Sequence, residues 1–130
     1  MNNRILTILA HKDKFEPGTP ASENNIVEAE KTLGLSFSQE YRTYLEKYGS
    51  ASFFGHILTG ISPFPGVNVV EVTLEQREFN PIVPHSMYVI EQLHIDGVVI
   101  WQDFSGSIYQ TTPGSKPMKI CDSLKEYLQI

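Results

Sequence analysis

Between Ile26 and Gly49 the apolar positions follow a helical period twice in succession, in the segment IVEAEKTLGLSFSQEYRTYLEKYG. Ile26, Ala29, Glu30 and Leu33 fall at the i, i+3, i+4, i+7 spacing that places side chains on one helical face. Gly34 follows where a helix end needs a residue that accepts a left-handed backbone. Tyr41, Tyr44, Leu45 and Tyr48 repeat the spacing, and Gly49 stops the second helix in the same way. Ser38 is placed to accept a hydrogen bond from the free amides of that helix's first turn.

Elsewhere the pattern is shorter and changes period. Ile5, Ile8 and Leu9 make one face of a short helix, and residues 11–24, with two prolines and a glycine, read as a surface loop. Residues 51–66 mix apolar residues with turn formers, which predicts a short edge strand and a long irregular loop. VVEVTLEQREF predicts a third short helix closed by Asn80-Pro81. From Ser86 the runs MYVIEQLHI and VVIWQD are rich in β-formers and are joined by Asp96-Gly97, the pair favoured in tight hairpin turns. Ser105-Gly106 and Pro113-Gly114 mark the next turns, before SIYQTT and KPMKI. Ser123 and Glu126 form a capping-box pair ahead of Leu124, Tyr127 and Leu128, which predicts a closing helix. Helices, then an antiparallel strand cluster, then one helix specify an α+β fold: a sheet of about four to six strands with helices packed on one face and a C-terminal helix.

The run Glu30, Leu33-Gly34, Phe37, Tyr41, Tyr44-Leu45 and Gly49 resembles the opening signature of the SUKH superfamily, which takes in bacterial toxin-immunity proteins and fungal regulators of cell-wall synthesis. The resemblance extends through Gly60, Thr73, Arg77, Asp103 and the closing SLKEYLQI, and so covers most of the chain. It departs at Ser38, where the family often has proline; both residues start helices well. Glu30, Gly34, Tyr41 and Gly49 are its structural signature, and such residues speak to fold more than to activity.

At 130 residues the chain is expected to be one SUKH-like domain, 1–130. Its net charge of −5, from 15 acidic and 10 basic residues, argues against a nucleic-acid partner and suits one with a basic site. Mild acidity also serves solubility. The lone Cys121 excludes an internal disulfide and reads as a small core or strand-end residue. The apolar run Ile5–Ala10 is too short for a secretory core, and no membrane span is expected, so a cytoplasmic protein is expected.

The search for chemistry returns little. His11, His56, His85 and His94 share no metal-site spacing, and neither a nucleophile elbow nor a phosphate loop is present, so no catalytic residue, metal or cofactor is expected. Glu30 lies on an apolar stripe and needs partners. It reads either as an acid with a raised pKa beside a pocket, or as a structural side chain that accepts from the amides of the Gly34–Ser38 break or pairs with Arg42. Asp103, at a strand end, reads as a turn initiator or as an exposed acid of a binding surface. Glu71, Glu75 and Glu78 form an acidic stripe whose repulsion Arg77 is placed to offset; such a stripe is either a solvated face or a partner-facing surface. Tyr41, Tyr44, Tyr48, Phe53 and Phe54 read as a binding patch or, as their helical spacing favours, a core face, whereas Phe64, between Pro63 and Pro65, is expected on the surface.

Glu71, Glu75, Glu78, Asp103 and Phe64 are therefore the candidate partner-binding residues of a non-catalytic module. The resemblance implies an immunity protein that blocks a cognate protein toxin, with the fungal type of regulatory or scaffolding module as the alternative. A small enzyme using Glu30 or Asp103 would need a second polar group converging on either. Oligomeric state stays open.

Overall fold

The two helical repeats fold as expected in the computed structural model, which describes residues 4–130. In chain order the elements are α1 (Arg4–Ala10), β1 (Glu16–Pro17), α2 (Glu23–Leu33), α3 (Gln39–Tyr48), β2 (Ala51–Phe53) and β3 (His56–Leu58). There follow α4 (Val69–Phe79), β4 (Tyr88–Gln92), β5 (Val99–Gln102), β6 (Ile108–Thr111), β7 (Met118–Cys121) and α5 (Leu124–Tyr127). Gly34 ends α2 at φ 70°, and its amide bonds back to the carbonyls of Glu30 and Lys31. Ser38 Oγ accepts from the Tyr41 amide at 3.0 Å, so α3 is capped by the residue the sequence singles out. Gly49 has two reasons to be glycine. Its φ is 73°, and a Cβ there would lie 1.8 Å from the Thr19 carbonyl oxygen.

The strands are antiparallel, in two sheets ordered β1-β2-β3 and β4-β5-β6-β7. The α+β architecture with a C-terminal helix is thus present, with the strands divided. Thr59 stitches the sheets together: its amide donates to Ile90 O at 2.8 Å and its hydroxyl to Val89 O at 2.7 Å. Tyr41 OH reaches the same hydroxyl at 2.8 Å and Tyr44 OH donates to Thr59 O at 2.7 Å, which fastens α3 to the seam. In the larger sheet the β4–β5 turn places Asp96 and Gly97 at φ 53° and 68°, the left-handed pair a primed hairpin turn requires.

The main core gathers Ile5 and Leu9 of α1, Ile26 and Leu33 of α2, Tyr41, Tyr44 and Leu45 of α3, and Leu124 of α5 against Tyr88, Ile90, Ile100 and Ile108. The opposite face of the meander is also covered. Val72 of α4, with Val83 and Met87, packs on Val89, Val99 and Trp101.

Two segments differ from the sequence reading. The loop expected at 11–24 contains β1, which pairs with β2, and α2 already begins at Glu23 under a Ser22 cap. A two-residue strand and a polar first turn carry no apolar period. The short edge strand expected in 51–66 is a β2–β3 hairpin with β2 central, since β1 covers its other side.

Candidate functional site

On α4 the acidic stripe faces outward. Glu71, Glu75 and Glu78 are all exposed, with Leu74 exposed among them. Asn68 caps the helix through bonds from the Val70 and Glu71 amides at 2.9 and 3.3 Å. The preceding loop is folded onto that end: Gly66 N donates to Glu71 Oε1 at 2.9 Å, and Phe64 N donates to Ser62 Oγ at 3.1 Å. Phe64, 69 % exposed, thus stands on a loop tied to the stripe. Arg77 does not offset the glutamates as expected. Its Nη2 donates to Leu33 O and His85 O, both at 2.9 Å, and among the described residues no ion pair involves the stripe. The i, i+6 step from Glu71 carries Arg77 round to the face that meets α2.

Asp103 is not part of this patch. It sits at the β5–β6 turn, where Oδ1 accepts from Ser105 N at 3.0 Å and Oδ2 from Tyr109 OH at 3.0 Å. That is the geometry of a turn initiator. Burial and the Asp103 carboxylate together push the Tyr109 hydroxyl above its ordinary range.

A second cluster lies where the β2–β3 hairpin meets β4 and α5. The β4–β5 register pairs Val89 with Trp101 and Glu91 with Ile100, so Ile90 is an extra residue, a bulge. Directly paired residues share a face, so the bulge turns Glu91 to the main-core side with Ile100. There Glu91 is 1 % exposed, and His56 Nδ1 lies 3.1 Å from each of its oxygens. Tyr127 OH donates to Glu91 Oε1. Burial first, then this bond, pushes the Tyr127 hydroxyl well up. Phe53 stacks on His56 with ring centroids 5.0 Å apart, and the Lys12 ammonium lies 5.6 Å from the Phe53 centroid. Simple alternation along YVIEQ would place Glu91 with Val89, so only the bulge, which the sequence does not announce, reveals this group.

The family model described as SUKH_5, SMI1-KNR4 cell-wall, matches residues 1–129. The chain belongs to the SUKH family. No curated protein matches it.

In this SUKH domain the signature residues hold the fold together. Glu30 Oε2 accepts from Phe37 N at 2.8 Å while Oε1 accepts from Arg42 Nη1 at 2.9 Å, so one carboxylate serves both the break and α3. Arg42 also forks onto Glu23, at 2.8 and 2.7 Å. Burial lowers the Arg42 pKa, but the two glutamates outweigh it and raise the value overall. Tyr41 is buried between Phe37 and Tyr88, and desolvation holds its hydroxyl far above the ordinary tyrosine range. The departure at Ser38 also has a role in this SUKH chain. Ser38 N donates to Tyr88 OH at 2.9 Å, a bond that proline has no hydrogen to make. Cys121 ends β7 half-buried, its thiol pushed up by burial. Among the described residues no group of three or more His, Cys, Asp or Glu is arranged to hold a metal, and no helix is long and apolar enough to cross a membrane.

Proposed function

We propose that this SUKH domain is a non-catalytic protein-binding module, an immunity protein that neutralises a cognate bacterial toxin by direct contact. The α4 surface carries the reading. Three exposed glutamates that form no ion pair among the described residues, together with exposed Leu74 and Phe64, make a mixed acidic and apolar patch. Aromatic anchors beside charge are what interfaces use for affinity and for rapid encounter. Where the toxin is a nuclease, its active site offers cations to phosphate, and an acidic patch of this kind can occupy it and exclude substrate.

The test is capture of partners by the tagged chain from the native organism's lysate at low and high salt, with mass spectrometry, followed by coexpression of what is captured. The reading expects a toxin whose lethality is suppressed by this chain and whose capture weakens with salt. Recovery of cell-envelope regulators alone would favour a second reading, a regulatory or scaffolding module related to the fungal regulators. The matched family's description, SMI1-KNR4 cell-wall, supports that alternative.

A further inference from the structure

Glu91 is a buried carboxylate whose ion-pair partner among the described residues is His56, a group charged only when protonated. A carboxylate out of water favours a permanent cation close by. The groove beside it, about 340 Å³, runs between the β2–β3 hairpin and β4, with Ser52, Phe53, His56 and Glu91 on its walls and no lysine or arginine lining it. Its aromatic wall already accepts a cation on the neighbouring side, where the Lys12 ammonium lies over the Phe53 ring. His56, with a side chain 41 % exposed against 1 % for Glu91, covers both oxygens of the carboxylate, and a planar cation can take its place.

We propose that this groove receives the guanidinium of an arginine side chain on a partner protein, which displaces the His56 imidazole from Glu91, its counter-ion, and stacks on the Phe53 ring. Guanidinium matches both halves of the site. It pairs bidentately with a carboxylate and stacks on aromatic faces, whereas an ammonium does only the first, and as a point charge. The carboxylate is aimed here by the β4 bulge, a distortion that re-aims side chains at functional sites. The source of the arginine rests on the binding-module reading, but the groove's affinity for guanidinium does not.

The test is a titration of the intact protein with N-acetyl-arginine amide and with its citrulline counterpart, which has the same shape without the charge, followed by backbone amide NMR. Saturating shifts in residues 53–57 and 91–93 are expected from the arginine compound, with binding about tenfold weaker for citrulline. Equal binding of both, no saturating shift, or shifts confined to Glu71–Glu78 would overturn the proposal. Glu91→Gln should erase the preference for arginine; because it alters a buried group, the comparison of the two ligands on the unaltered chain decides the matter. Failure of the toxin reading leaves this titration intact, and failure of the titration leaves partner capture intact.

Discussion

Glu30 and Arg42 face each other across the break between α2 and α3, with Oε1 2.9 Å from Nη1 and the glutamate side chain 17 % exposed. Because the other oxygen holds the Phe37 amide, removing this carboxylate orphans a backbone donor and leaves the Arg42 guanidinium to Glu23 alone. Glu30→Ala is therefore expected to lower unfolding free energy by about 2 kcal/mol. Glu30→Gln should lose less, since it keeps an acceptor for Phe37. Urea midpoints at constant m-value check both.

Gly34 and Gly49 share a positive φ but not a neighbourhood. A Cβ on Gly34 meets nothing within 4 Å, whereas one on Gly49 strikes the Thr19 carbonyl. Gly34→Ala is expected to cost about 1 kcal/mol, the conformational penalty alone. Gly49→Ala should cost more than about 3 kcal/mol or abolish folding, because the clash is with backbone. Equal losses from the two, in thermal or urea unfolding, would refute the close approach.

Of these two features the sequence discloses the bonding of Glu30 and the stop at Gly49, because both are local. A carboxylate on an apolar stripe must find donors nearby, and a glycine ending a helical period is a recognisable stop. Glu91 was not legible, because its direction depends on a one-residue bulge set by pairing with β5. Glu40 was not legible either. It accepts from the Leu124 and Lys125 amides at 2.7 and 2.8 Å and from Gln102 Nε2 at 3.1 Å, so its partners lie far away in sequence. The Arg77 expectation failed for a related reason: its angular position on α4 is simple to compute, but its bonds to the Leu33 and His85 carbonyls depend on how the elements pack.

Glu40 predicts a specific defect. Glu40→Ala should leave α5 without the acceptor for its first two amides and cost about 2 kcal/mol. Hydrogen exchange at Leu124 and Lys125 should rise before that of α3. Unchanged protection at both amides would mean that Ser123 alone suffices as a cap.

On α4, Glu75→Lys is the cleanest probe of the patch, since Glu71 also supports Gly66. The variant is expected to keep its thermal midpoint within about 2 °C. With a captured partner it should associate about tenfold more slowly at low salt, with the difference shrinking as salt rises. An unchanged on-rate in surface plasmon resonance would remove this surface from consideration.

The tyrosines set the alkaline limit. Tyr41, Tyr44 and Tyr88 are driven upward chiefly by burial, and Tyr127 by burial and Glu91. In this case the folded state holds its protons to higher pH than the unfolded chain. Stability should thus be undiminished by these groups below the unfolded tyrosine value of about 10 and fall as pH rises beyond it. In an ultraviolet titration, phenolate absorbance from these residues should appear together with loss of the helical circular dichroism. Their ionisation at the ordinary tyrosine value in a still-folded protein would contradict the burial.

The bonds from Leu124 and Lys125 to Glu40 span 84 and 85 residues. As the chain leaves the ribosome, α2 and α3 emerge early with a carboxylate still solvated, and nothing downstream is yet there to meet it. Six strands and α4 must be made before α5 arrives, delivering Leu124 to the core and Tyr127 to Glu91. The native bonds that join α3 to α5 therefore form only once the strands between them have been made, which places the closure of this contact late in synthesis.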